Sequence, residues 1–190
     1  MNAHGAAILA HPHPCGHIVY PYTDETLVGQ AVCLFASAGI RDGEGVVLIM
    51  SGDHFEPIKL RLRVEGFNVE AYERSRQLTC VAAEDLLKTF MSGGTLNEEV
   101  FRSTVSDLIH RAQTGRSKVR VFGEMVSQLR DTDLIATTRL EELWNEVIVE
   151  HSVSLLCTYA LHNADDHIPK TLVDLHSQSI ERESSVGHNA

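Results

Sequence analysis

Three side chains stand where chemistry could be done. His17 heads the run His17-Ile18-Val19-Tyr20-Pro21-Tyr22, Glu124 directly follows Val119–Gly123, and Cys157 lies inside Val153–Tyr159. A carboxylate at the end of an interior strand, close to apolar packing, must find a donor or shift its pKa. Glu124 can therefore anchor a polar ligand, or it can serve the fold as an N-cap or as a salt-bridge partner of Arg120 or Arg139. His17 reads either as a ligand contact or metal ligand, or as a strand-start histidine satisfied by a backbone carbonyl. Cys157 reads as a small inert hydrophobe unless it faces the Glu124 end of the sheet. A glutamate with a histidine can act as acid and base. No nucleophile–base–orienter set accompanies them.

His11, His13, Cys15 and His17 occupy every second position, which would gather their side chains on one face of an extended segment. Pro12, Pro14 and Gly16 make residues 1–15 a flexible arm rather than a rigid cage, so neither a metal nor a cofactor is expected. Phosphate chemistry is excluded more firmly. No G-x-x-x-x-G-K-[ST] and no G-x-G-x-x-G occurs, and the turn Tyr22-Thr23-Asp24-Glu25 carries carboxylates that would repel a triphosphate.

The elements that must position these residues alternate in period. His17–Tyr22 is β-branched and aromatic, with Pro21 confining it to a sheet edge or strand end. Thr23 offers an N-cap, Leu27, Ala31, Leu34, Phe35 and Ala38 recur at helical spacing, and Gly39 is a plausible stop. Val46–Met50 is a continuous apolar run, as in a strand buried on both faces. A helix carrying Ile58 and Leu62 ends near Gly66, and a strand at Leu78–Ala82 and a helix at Glu84–Phe90 follow. Ser92–Thr95 reads as a loop, Asn97 starts a helix ended by Gly115, and Val119–Phe122 is the next strand. Leu140, Leu143, Trp144, Val147 and Ile148 mark an amphipathic helix, with Trp144 in the core or as a partner anchor. Glu141, Glu142, Glu146 and Glu150 are assigned to its solvated side. Val153–Tyr159 closes the sheet. The pattern predicts an α/β three-layer sandwich around a mostly parallel central sheet. Residues 16–176 form its single domain, and the polar tail 177–190 frays.

At 190 residues, 43% hydrophobic and 22% charged, the chain is globular and of single-domain size. A formal charge of −10 opposes a nucleic-acid surface, although Arg116, Lys118 and Arg120 could dock an acidic partner. The longest apolar runs fall short of a membrane span, and the opening residues lack the basic region of an export signal. Cys15, Cys33, Cys80 and Cys157 form no C-x-x-C pair, which suits reduced thiols in a cytoplasm.

Gly16–Tyr22 with its acidic turn, Gly43-Glu44 before Val46–Met50, Gln77-Leu78, Phe122-Gly123-Glu124-Met125, Leu140–Asn145 and Leu155–Tyr159 resemble, in order and spacing, the MEDS domain. This is the sensory module of methanogen signalling proteins and of the dichloromethane regulator DcmR. The resemblance implies a RecA/KaiC-like fold without its phosphate loop (Walker A), and a sensory role. A small-molecule or protein signal would pass to a histidine kinase or transcription regulator, with homodimer formation left open. No output domain is recognised in this sequence, so a separate partner is expected to carry the response. The ligand is expected beyond the carboxyl ends of the strands, near Tyr22, Asp24 and Glu124. His17 and Cys157 join only if their strands turn those side chains inward. The competing reading is a metal-assisted hydrolase using His17 and Glu124.

Overall fold

The structure, a computed structural model, describes residues 1–163 and 165–181. Its centre is a six-stranded sheet in which every pairing is parallel. The strands are β1 (His17–Tyr22), β2 (Gly45–Met50), β3 (Leu78–Ala82), β6 (Val119–Gly123), β7 (Ser154–Ala160) and β8 (Gln178–Ser179), in the order β3-β2-β6-β7-β1-β8. Two short strands, β4 (Met91–Ser92) and β5 (Thr95–Leu96), form a separate hairpin across Gly93-Gly94. Both glycines take positive φ there, which a side chain would resist.

The continuous apolar run of β2 is explained by its two faces. Val46, Leu48 and Met50 pack under one helical layer, while Val47 and Ile49 pack under the other. The first layer holds α1 (Ala3–Ala10), α2 (Glu25–Arg41), α3 (Phe55–Val64) and α4 (Val69–Arg74). The second holds α5 (Ala83–Phe90), α6 (Glu98–Gln113), α7 (Met125–Arg130), α8 (Leu134–His151) and α9 (Lys170–Val173). The expected three-layer α/β sandwich is therefore the observed one. Trp144 is core: it is buried beneath α6, edge-on to Phe101 with ring centroids 5.3 Å apart.

Several local expectations are corrected. Asp24, not Thr23, caps α2, its side chain accepting from the Thr26 amide at 2.7 Å. The helix then runs through Gly39. A Cβ at Gly39 would come within 2.9 Å of Arg120 Cδ, so the glycine serves a close approach and not a stop. Residues 1–15 are not wholly an arm, because α1 is capped by Asn2 and buries Leu9. The tail also begins inside the sheet. The Ser177 and Ile180 amides donate to the carbonyls of His17 and Val19, and Ile180 is buried. Residues 182–190 of that expected fraying tail lie outside the described residues.

Arg120 is not available to an acidic partner. It is buried from β6, paired with Glu44 and Asp42, and donates to the carbonyls of Leu9, Ala10 and Phe35. It ties α1 and α2 to the sheet. Among the described residues, no helix is long and apolar enough to cross a membrane.

Candidate functional site

Two polar centres emerge, at different places in the sheet. The first lies where β2 and β6 end. The chain leaves β2 toward the α3 layer and leaves β6 toward the α7–α8 layer, and such a divergence opens a crevice. Glu124, the first residue after β6, sits in it almost fully buried. Its Oε2 accepts from the Ser51 amide at 2.7 Å, and His54 Nδ1 donates to the carboxylate at 2.9 Å. His54 ends the short 3-10 turn Gly52–His54 after β2, and its Nε2 stands 3.4 Å from Glu25 Oε2. The hydrogen bond to Glu124 outweighs partial burial and raises the His54 pKa above its ordinary 6.5.

The His54–Glu124 pair separates two spaces. On one side a cavity of about 170 Å³ is walled by Val28, Val32, Met50, Ile58 and Phe122, with Glu25 at its edge. On the other a more polar cleft of about 350 Å³ is lined by Tyr22, Ser51, Glu84, Ser127 and Gln128. Burial, and then the charge of Glu124, push the Tyr22 hydroxyl pKa well up, so Tyr22 is a neutral, amphipathic wall. Tyr22 and Glu124 thus line one cleft. Asp24 does not join them, since its carboxylate is exposed and engaged in capping α2. Neither arginine offered as a partner reaches Glu124. Arg120 faces α1 and α2, and Arg139 binds Glu98 and Glu142 on the α6–α8 surface.

The second centre is buried beneath α8. His17 turns toward that layer from β1, Cys157 from β7, and His17 Nε2 lies 3.4 Å from Cys157 Sγ. Glu141 of α8 completes the group, with Oε2 3.2 Å from His17 Nε2 and 3.7 Å from Cys157 Sγ. His176, between α9 and β8, brings its Nε2 to 3.4 Å from Glu141 Oε1. The Tyr159 hydroxyl donates to the same Oε1. Burial would raise the Glu141 pKa, but the imidazoles of His17 and His176 beside it hold it below the usual carboxylate range. Burial, and then the Glu141 charge, push the Cys157 thiol well up, so without a cation it is protonated.

The expected site residues are therefore divided between two centres. His17 is level with Leu155 and Val121, whereas Gly123 is level with Cys157 and Val19. Glu124 is thus three register positions and two strands from His17, roughly 14 Å in the sheet. The pair cannot share a substrate bond as a metal-assisted hydrolase would need. The alternating arm is also split, because His11, His13 and Cys15 are exposed while His17 is buried.

Sequence reasoning missed His54, Glu141 and His176. The run of glutamates places Glu141 on the solvated side of its helix, yet it is fully buried. Its signal was present: it stands three residues before Trp144 and seven before Ile148, on the apolar stripe itself. His54 follows a strand by four residues, in the region where ligands gather. His176 had no such signal, because it lies between a four-residue helix and a two-residue strand, too short for a periodicity to place it.

The comparisons with known proteins agree with this fold. The profile of the MEDS family, the methanogen/methylotroph, DcmR sensory domain, matches residues 16–177. A crystal structure of a KaiC-like protein from the hyperthermophilic archaeon Pyrococcus horikoshii OT3 is similar in fold, with a TM-score of 0.59 at 11% identity. The alignment covers 90% of this chain and 76% of that one. No curated protein matches the chain in sequence. With the KaiC-like sheet, the absent phosphate loop and a match across nearly all of the described domain, the chain belongs to the MEDS family of sensory domains.

Proposed function

We propose that this chain is a non-catalytic sensory module that recognises a small organic ligand in the crevice at the ends of β2 and β6. The observation that carries this reading is the His54–Glu124 pair set in the wall of an apolar cavity. The cavity's volume, about 170 Å³, is close to the ~150 Å³ space that holds a benzene-sized guest in other proteins. Its apolar walls suit a short hydrocarbon body. Two carboxylates, Glu124 and Glu25, favour a ligand that donates a hydrogen bond or carries positive charge, such as a short-chain alcohol or amine. A ligand seated there would touch α2 and α3 together, and so could alter how they present themselves to a histidine kinase or a transcription regulator.

Calorimetric titration with propanol, propylamine and propionate tests the reading. Propylamine or propanol should bind saturably and propionate should not. Glu124→Gln, which keeps the shape and removes the charge, should weaken binding by about tenfold while the unfolding midpoint barely moves. A preference for propionate, or binding indifferent to Glu124→Gln, contradicts it.

A further inference from the structure

We propose that His17 Nε2, Glu141 Oε2, Cys157 Sγ and His176 Nε2 form a closed site for a zinc ion, which fastens the C-terminal segment onto the sheet. These side chains are the group of potential metal ligands that the described residues bring together, with all ligand atoms within 4.8 Å of one another.

The orientation of both imidazoles favours a cation. The Asn145 amide nitrogen donates to the Leu175 carbonyl at 3.0 Å, so its Oδ1 must accept from His17 Nδ1–H, also at 3.0 Å. His176 Nδ1–H donates to the Leu172 carbonyl at 2.8 Å. Each ring thereby spends its hydrogen on an outer partner and, when neutral, turns an Nε2 lone pair inward. Histidine ligands are held in this way at metal sites. His176 Nε2 is fully buried and makes no hydrogen bond. The Tyr159 hydroxyl occupies Glu141 Oε1, which leaves Oε2 toward the centre. Two lone pairs facing a carboxylate need positive charge between them, either protons or a metal ion.

The spacing of His17, Glu141 and Cys157 fits the metal, and His176 belongs to the same group within the 4.8 Å limit. Bonds of ~2.0–2.1 Å to nitrogen or oxygen and ~2.3 Å to sulfur, at tetrahedral angles, put neighbouring ligand atoms roughly 3.3–3.6 Å apart. The observed separations are 3.2 Å from His17 to Glu141, 3.4 Å from His17 to Cys157 and 3.7 Å from Cys157 to Glu141. The mix of imidazole, thiolate and one carboxylate suits zinc, and four protein ligands leave no open position for catalysis. On binding, the Cys157 thiol yields its proton to solvent, as does any protonated ring. The ligands come from β1, α8, β7 and the α9–β8 connection, so the ion would join the last-laid segment to the centre of the sheet.

Cobalt reports the site, because tetrahedral cobalt with a thiolate ligand gives visible bands and a sulfur-to-metal charge-transfer band. Chelator-treated protein should take up one equivalent of zinc or cobalt, with that band present and lost in Cys157→Ser. A variant carrying Cys15→Ala, Cys33→Ala and Cys80→Ala should keep the band, which assigns it to Cys157 even if Cys157→Ser fails to fold. Zinc should also slow amide exchange across residues 172–180 by ~10-fold at saturating metal. Absence of stoichiometric uptake, a band that persists in Cys157→Ser, or a band lost from the triple variant while it remains folded would overturn the site. In that case the imidazoles are held by protons alone, and any loosely bound metal belongs to the exposed His11 and His13.

Discussion

The crevice and the buried cluster each combine one glutamate with histidine, yet their surroundings suit them to opposite tasks. Glu124 meets a histidine and a backbone amide at the rim of two cavities, where one face of the pair is open to an incoming molecule. Glu141 is fully buried and enclosed by His17, Cys157, Tyr159 and His176. The same pair of residue types can therefore read a ligand or lock a frame. What decides is whether the second coordination sphere is protein or cavity. A buried charge surrounded by partners is expensive to disturb, whereas a charge at a cavity edge can exchange one partner for another.

The frame should yield first. Trp144→Ala, on the helix that carries Glu141, removes the ring packed on Phe101 and should cost about 3–5 kcal/mol by chemical denaturation. Glu141→Ala should cost a comparable ~3–5 kcal/mol, because Tyr159 and His17 lose the buried carboxylate that partners them. A loss below 1 kcal/mol, measured the same way, would show that the cluster is not a frame and would collapse the contrast.

Much of that frame was legible beforehand, and the reason is periodicity. His17–Tyr22, Val46–Met50, Leu78–Ala82 and the stripe from Leu140 to Ile148 announce strands and helices because burial dictates their spacing. Short helices such as α4, α7 and α9 carry too few turns for a pattern to show. Glu124 was legible because it follows a buried strand, and strand ends are where such sheets place ligands. Its partner His54 was not, because that contact joins residues 70 positions apart in sequence, and neither were Glu141 and His176, which join His17 and Cys157 through a charge inside an apolar stripe and a short C-terminal connection.

At the crevice, smaller effects are expected on stability and larger ones on recognition. Glu124→Gln should cost no more than about 1 kcal/mol, since the Ser51 amide keeps an acceptor. A thermal melt checks this, and a loss as large as that of Glu141→Ala would make Glu124 a structural residue. The pH dependence should be subtler still. Because the folded His54 pKa is raised, the ion pair stabilises the protein fully below ~6.5, and that contribution fades as pH rises through the higher folded value. Ring-proton NMR should place the His54 midpoint above 6.5 in the native protein and return it to 6.5 or lower in Glu124→Gln. A midpoint unaffected by that substitution would mean that Glu124 does not set it.

The claim that the crevice is the sensing site is tested most directly by mapping amide shifts while propylamine is titrated into isotopically labelled protein. Saturable shifts are expected, centred on Ser51–His54, Glu124 and the Val28–Val32 turn of α2. Saturable shifts centred instead around Ile168 and Val173, which line a separate cavity of about 240 Å³ near β1, would contradict it.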